Sequence, residues 1–219
     1  MKLVVFDVDG TLIDSQHHIH AAMSSAFSCA GLEPLPKDSV LQVVGLSLPE
    51  AVAVLAPDAT PEVQTRILLG YRQAFLAARM LDAAPLYPGA RECLDRLAQQ
   101  DDLLLAVATG KARRGLDAMI EEHRLQGRFV SLQTADHHPS KPHPAMLQAA
   151  LDEAGVTAGD AVMIGDTSFD IEMAQAAGVT GFGVNWGYHS ADQLRAAGAA
   201  LVAPDFPALT TAIEEWAVT

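Results

Sequence analysis

The chain is expected to be an α/β protein, with a parallel sheet at its centre and a helical domain inserted after the first strand. From Pro88 onward, short apolar runs alternate with helical patterns. Those runs are apolar on both faces, as strands covered by helices on each side must be. Residues 15–82, by contrast, show helical spacing with no convincing strand. The expected division is therefore 1–14 and 83–219 for the α/β core and 15–82 for the insertion.

The first strand is Leu3–Phe6, followed at once by Asp7-Val8-Asp9-Gly10-Thr11. From Ser15 to about Ala30 the apolar residues Ile19, Met23 and Phe27 recur at helical spacing, with Ser15 as the expected N-cap and Gly31 as the stop. Short helices are expected at Lys37–Val43 and Pro49–Leu55. A longer one runs from Pro61, a residue suited to a first turn, to Met80. Asp82–Pro88, with two prolines, returns the chain to the core. Helices are then expected at Gly89–Gln99, Ala112–His123, Pro144–Ala154, Phe169–Ala177, Ala191–Ala197 and from Phe206. Strands are expected at Leu103–Ala108, Phe129–Gln133, Ala161–Ile164, Gly181–Val184 and Ala200–Ala203.

Composition narrows the function classes. The formal net charge of −13 argues against non-specific nucleic-acid binding and means that any anion must be held by a local site. No apolar stretch reaches the roughly 18 residues of a membrane span. Cys29 and Cys93 are too far apart in sequence to suggest a disulfide framework or a metal-ligand spacing. A reduced, cytoplasmic setting is expected, with the protein a monomer or homodimer.

The informative polar residues sit just beyond the strands, where open parallel sheets bind ligands. Asp7 and Asp9 end the first strand. Thr109-Gly110-Lys111 ends the second major apolar run, just ahead of a helix start that favours anions. Gly165-Asp166-Thr167-Ser168-Phe169-Asp170 follows Ala161–Ile164, and Lys141 lies in a loop stiffened by three prolines. Like charges as close as Asp7 and Asp9 cost energy unless a cation or proton intervenes. A hydroxyl, a lysine, a helix start and four carboxylates together suit a Mg²⁺-assisted phosphate site, because hard oxygen ligands suit Mg²⁺. Asp166 also has a plain reading as a cap of the following helix.

These motifs, in this order, resemble the haloacid dehalogenase-like phosphatase superfamily, and within it the phosphoglycolate phosphatase-like branch. Trp186-Gly187-Tyr188-His189 resembles that branch too. The resemblance implies a Rossmann-like core with a helical cap. It makes Asp7 the nucleophile and Asp9 the general acid and base. Mg²⁺ would be held by Asp7, the Asp9 carbonyl and Asp166, and the phosphoryl oxygens by Thr109, Gly110 and Lys141. Asp170 would orient Lys141 or a metal-bound water. The implied reaction is hydrolysis of a small phosphorylated metabolite, phosphoglycolate being the first choice, through a phospho-aspartate.

Asp9 itself argues against dehalogenation, because dehalogenases of the superfamily lack it: a halide needs no proton. A β-phosphoglucomutase-type sugar phosphomutase is the alternative. Leu48 stands where those enzymes carry an arginine, and Ile19 where they carry a histidine, with His18 and His20 beside it. His17, His18 and His20 are read as polar cap positions, and His137, His138 and His143 as a solvated loop. Lys111, Arg113 and Arg114 are possible phosphate-binding assistants. Gly45–Glu50 is the cap segment expected to reach the site, with hinges near Ile13–Ser15 and Asp82–Pro88.

Overall fold

The structure, a computed structural model, describes residues 1–218. Six strands form one parallel sheet: β1 (Lys2–Phe6), β2 (Leu103–Thr109), β3 (Ser131–Thr134), β4 (Ala161–Gly165), β5 (Thr180–Val184) and β6 (Leu201–Ala203). Their spatial order is β3-β2-β1-β4-β5-β6. The chain thus leaves β1 to build one half of the sheet and crosses back to β4 to build the other. The crevice at that reversal lies beyond the carboxyl ends of β1, β2 and β4. Phe6 pairs with Val107 on one side and Ile164 on the other, so the residues following all three strands emerge level with one another.

The double-sided apolar pattern of β1 has a direct structural cause. Val4 and Phe6 join a cluster with Leu94, Leu105 and Ile164, while Leu3 and Val5 join Met146, Leu147 and Met163 on the opposite face. Burial of each large apolar side chain contributes about 1.5–3 kcal/mol. A one-residue slip would exchange the two faces and move Asp7 away from its neighbours. The helices that cover the sheet are α5 (Ala90–Leu97), α6 (Arg113–Glu122), α7 (Ala145–Ala154), α8 (Ser168–Ala176), α9 (Ala191–Ala196) and α10 (Phe206–Ala217).

Between β1 and α5 lie α1 (Gln16–Cys29), α2 (Lys37–Leu41), α3 (Leu48–Leu55) and α4 (Pro61–Leu81). They pack on a third apolar cluster that includes Ile19, Met23, Phe27, Val52 and Ile67. Helices α1 and α4 cross closely at Gly70, where a Cβ would stand 3.3 Å from the Ala26 Cα. Gly31 ends α1 as expected: its φ of +81° turns the chain so that the Leu32 N–H donates to the Phe27 carbonyl at 2.9 Å. The outgoing and returning connections pair with each other. The Asp14 N–H donates to the Pro85 carbonyl, and the Tyr87 N–H to that of Leu12, both at 2.9 Å.

Three expectations need correction. Strand β3 begins at Ser131 rather than Phe129. Ser15 does precede α1, but its hydroxyl caps nothing. It donates to Asp9 at 2.6 Å, a charge-assisted bond that holds the side chain turned toward that carboxylate and away from the helix start. Asp166 does not cap α8 either; Thr167 holds that position and Asp166 turns inward.

Candidate active site

Asp7 is the first residue past β1, anchored by its N–H to the Ile164 carbonyl at 2.9 Å. Its side chain is buried and sits within 4.8 Å of ligand atoms of Asp166 and Asp170, which are also buried. Lys141, among the largest fully buried side chains, reaches in from its loop. Its ammonium donates to Asp7 Oδ1 at 2.8 Å and to Asp170 Oδ1 at 2.6 Å. The loop carrying it contains a cis peptide between Lys141 and Pro142.

The three carboxylates are not equivalent. Both oxygens of Asp170 are engaged, Oδ1 by Lys141 and Oδ2 by the Thr167 N–H (3.1 Å) and hydroxyl (2.8 Å). Asp170 therefore serves best to hold Lys141. Asp166 accepts single bonds, from the Thr11 hydroxyl at 2.9 Å and the Tyr188 N–H at 2.9 Å, and keeps lone pairs for a further partner. Asp7 Oδ2 has no hydrogen-bond partner among the described residues. Glycine is needed at position 10, where φ is +87° and a Cβ would collide with the Asp166 carboxylate.

The charge balance is consistent with a cation. Three carboxylates face one ammonium, leaving two negative charges in a buried space. Burial first, and then the Asp170 charge, raise the Asp7 carboxyl to about 6 against the pull of Lys141. Burial and the charges of Asp170 and Asp7 raise Asp166 as well. Lys141 is held above its usual range because the Asp170 and Asp7 charges outweigh its own desolvation. A divalent ion on Asp7 and Asp166 would offset both the burial and the mutual repulsion that raise the two carboxyl groups. This all-oxygen set fits Mg²⁺.

Asp9 is placed differently. Its carboxylate lies outside the acid cluster, where Lys111 donates to both oxygens at 2.8 and 2.9 Å and Ser15 adds a hydroxyl. Ser15 also lies 3.1 Å from the Tyr188 hydroxyl, and the Lys111 ammonium sits 5.0 Å from the centre of the Phe75 ring of α4. Burial and the Asp9 and Asp166 charges raise the Tyr188 phenol, keeping it a neutral hydrogen-bonding group. Thr109 is buried at the end of β2, where its hydroxyl accepts from the Lys111 N–H at 3.3 Å. Gly110 has to be glycine. A Cβ there would stand 2.5 and 2.7 Å from the Gly45 and Leu46 carbonyl oxygens.

Those contacts place the loop before α3 directly over the sheet. The Ser47 N–H donates to the Ser140 hydroxyl at 2.7 Å. His189 bridges the same junction: its Nδ1 accepts from the Ser168 N–H, which leaves Nε2 protonated to donate to the Gln42 carbonyl at 3.2 Å. Between the helical insertion and the sheet lies a cavity of about 530 Å³ that reaches Asp7, Asp9, Thr109 and Gly110. Gly45 to Pro49 line it, as expected for Gly45–Glu50 apart from Glu50, and α1 and α4 contribute as well.

Sequence reasoning named Lys111 only as an assistant and missed Ser15, Tyr188 and His189 as parts of this region. The partners of Tyr188 and His189 are remote in the chain, and Ser15 meets Asp9 only because the loop after β1 folds back, so no local spacing announces them. The histidines of α1 form no metal group among the described residues; His138 bonds to Gln133 of β3, and His143 accepts from the Ala145 N–H at the start of α7.

Residues 4–184 match the model of the haloacid dehalogenase-like hydrolase family. A probable phosphatase IndB of Dickeya dadantii is 36% identical over 201 residues, covering 89% of this chain and 86% of that protein. A phosphoglycolate phosphatase of Rhodospirillum rubrum is 33% identical over 216 residues, covering 95% and 89%. Among solved structures, a hydrolase from Pseudomonas syringae superposes with a TM-score of 0.88 at 26% identity, covering 98% of this chain and 99% of that one. A provisionally assigned β-phosphoglucomutase from Bacteroides vulgatus reaches 0.84 at 25% identity, covering 99% and 88%.

Proposed function

The chain belongs to the haloacid dehalogenase-like hydrolase family, and on that premise we propose that it is a Mg²⁺-dependent phosphatase of small phosphate monoesters, working through a phosphorylated Asp7. The observation that carries the reading is the unpartnered Oδ2 of Asp7 on the wall of the cavity, beside a buried lysine and two further carboxylates.

In this reading Thr109, the Gly110 N–H and Lys141 bind the phosphoryl oxygens. A carboxylate attacking a dianion needs its repulsion cancelled, which Lys141 does in part. Asp7, the Asp9 carbonyl and Asp166 would hold Mg²⁺, which would supply the remaining positive charge. An Asp7 oxygen attacks phosphorus as the bond to the ester oxygen breaks, and Asp9 gives that oxygen its proton. Asp9, now a carboxylate, takes a proton from water, which attacks the phospho-aspartate, releasing phosphate and restoring Asp7. Asp9 must first leave Lys111 and take up a proton from solvent, and the entering phosphate offers Lys111 a competing anionic partner. The helices of residues 15–82 act as a cap whose loop at Gly45–Pro49 excludes water, turning about the paired connections at Leu12–Asp14 and Pro85–Tyr87.

Phosphoglycolate is the first substrate to try, on the strength of the relatives that bear its name. The mutase reading draws on the Bacteroides vulgatus structure. It is weakened at the loop before α3, where Leu46 and Leu48 bring only apolar side chains to the cavity wall, the arginines of that wall coming from α4 and α6. A panel of monoesters with Mg²⁺ should yield free phosphate. Asp7→Asn should reduce that release by on the order of 10⁴-fold or more. Isomerisation that depends on a bisphosphate and releases no phosphate would favour the mutase, and an Asp7→Asn variant of full activity would end the phosphatase reading.

A further inference from the structure

The floor of the cavity suits a phosphate, but much of its wall is apolar. Its volume, about 530 Å³, lies within the range of roughly 300–1,000 Å³ typical of pockets for drug-sized ligands. Helix α4 turns Tyr71, Phe75 and Leu76 into it, at the spacing of one helical face. Met23 of α1 and Val43 and Leu46 of the loop before α3 close the other sides. Tyr71 and Phe75 stack with centroids 5.6 Å apart and planes inclined by 18°, so this wall is aromatic and fixed.

Phosphoglycolate would use this space poorly, since its organic part is one methylene and a carboxylate. Beside the wall, Lys111 is already bound by Asp9 and lies over the Phe75 ring. Arg79, half-buried, lines the cavity from the last turn of α4; Arg72 and Arg114 line it too, but both are exposed and so mark its solvent side. Neither has an acidic partner among the described residues. In a chain of net charge −13 they supply local attraction for an arriving dianion. A carboxylate pressed against the aromatic wall without a partner is unfavourable, whereas an apolar group there gains by leaving water.

We infer that the preferred substrate is a phosphate monoester whose alcohol carries a bulky apolar group of ring size or larger, lodged against Tyr71, Phe75 and Leu76. The inference rests on the phosphatase reading above and narrows its substrate class. Ethyl, butyl, hexyl and 2-phenylethyl phosphate share a primary-alcohol leaving group and differ in apolar bulk. With Mg²⁺, kcat/KM for phosphate release should rise about fourfold for each methylene that becomes buried. The phenylethyl ester should exceed phosphoglycolate by about tenfold or more, given several such groups. Tyr71→Ala and Leu76→Ser should each lower kcat/KM for hexyl phosphate more than for ethyl phosphate. A series that is flat or falls with bulk, or a preference for phosphoglycolate over the phenylethyl ester, would overturn the inference while leaving the phosphatase reading standing. Absence of phosphate release from every ester would overturn both.

Discussion

Asp7 and Asp9 stand two residues apart on one loop, yet they occupy opposite kinds of surroundings. Asp7 lies on a closed floor made by three strand ends, with two other carboxylates and one lysine, and its neighbours leave it no alternative position. Asp9 lies at the seam between sheet and insertion, held by Lys111 and Ser15, with Tyr188 and Phe75 behind them. The floor is buried and over-charged, as the proposed nucleophile and its metal would require. The seam is made of contacts from several elements, two from Lys111 and one from Ser15 on Asp9, and in the proposed cycle that group exchanges partners during turnover.

The sharpest way to separate the two regions is to neutralise Asp9. Asp9→Asn should lower kcat by about 10²–10⁴-fold for alkyl phosphates, the usual worth of general acid–base catalysis. The loss should shrink for an aryl phosphate whose leaving group needs no proton. Equal losses on both ester types would remove the distinction between a nucleophilic floor and a proton-handling seam.

The floor's excess charge makes a prediction about pH and metal. Asp7 is raised from 3.8 to about 6 in the folded chain. Between roughly pH 4 and 6 the folded state therefore keeps a proton that the unfolded state has lost, and stability of the metal-free protein falls as pH rises through that window. The upward shift of Asp166 has the same sign. The shift of Lys141 is also upward, so its contribution is lost only in alkali and leaves this window untouched. Mg²⁺ at a hundred times its Kd should restore about 2.7 kcal/mol, and thermal melts should show a larger gain at pH 8 than at pH 5. A Tm indifferent to Mg²⁺ at pH 8 would mean that the floor is not a metal site.

The smallest effect belongs to the edge of the seam. Ser15→Ala removes one hydrogen bond to Asp9 and should cost about 1 kcal/mol. For a chain of this length that is a Tm decrease of about 2–4 °C. A far larger loss would show the seam to be as tightly determined as the floor.

The same contrast explains what could be read from the chain alone. Asp7, Thr109 and Asp166 each follow an apolar run, so the strand pattern places them at one sheet edge before any coordinates exist. Lys141 and Asp170 were legible through their motif spacing. Ser15 was read as a helix cap because its local sequence looks like one; its actual partner depends on how the loop after β1 folds back. Tyr188 and His189 lie past β5 and meet Asp166, Ser168 and Gln42 only through the sheet's crossover. The apolar cavity wall was hidden for a related reason. The periodicity of α1 and α4 announces an apolar face, but it does not show which part of that face is left uncovered above the site.

Asp7 as the phosphorylated residue is the claim on which the rest depends. Rapid acid quench during turnover of a phosphate monoester with Mg²⁺, followed by peptide mass spectrometry, tests it most directly. The account predicts a phosphoryl group on the peptide Met1–Lys2-to-Asp14 region, localised to Asp7 and absent in Asp7→Asn. A phosphoryl group on any other residue, or steady phosphate release with Asp7 never modified, would contradict it.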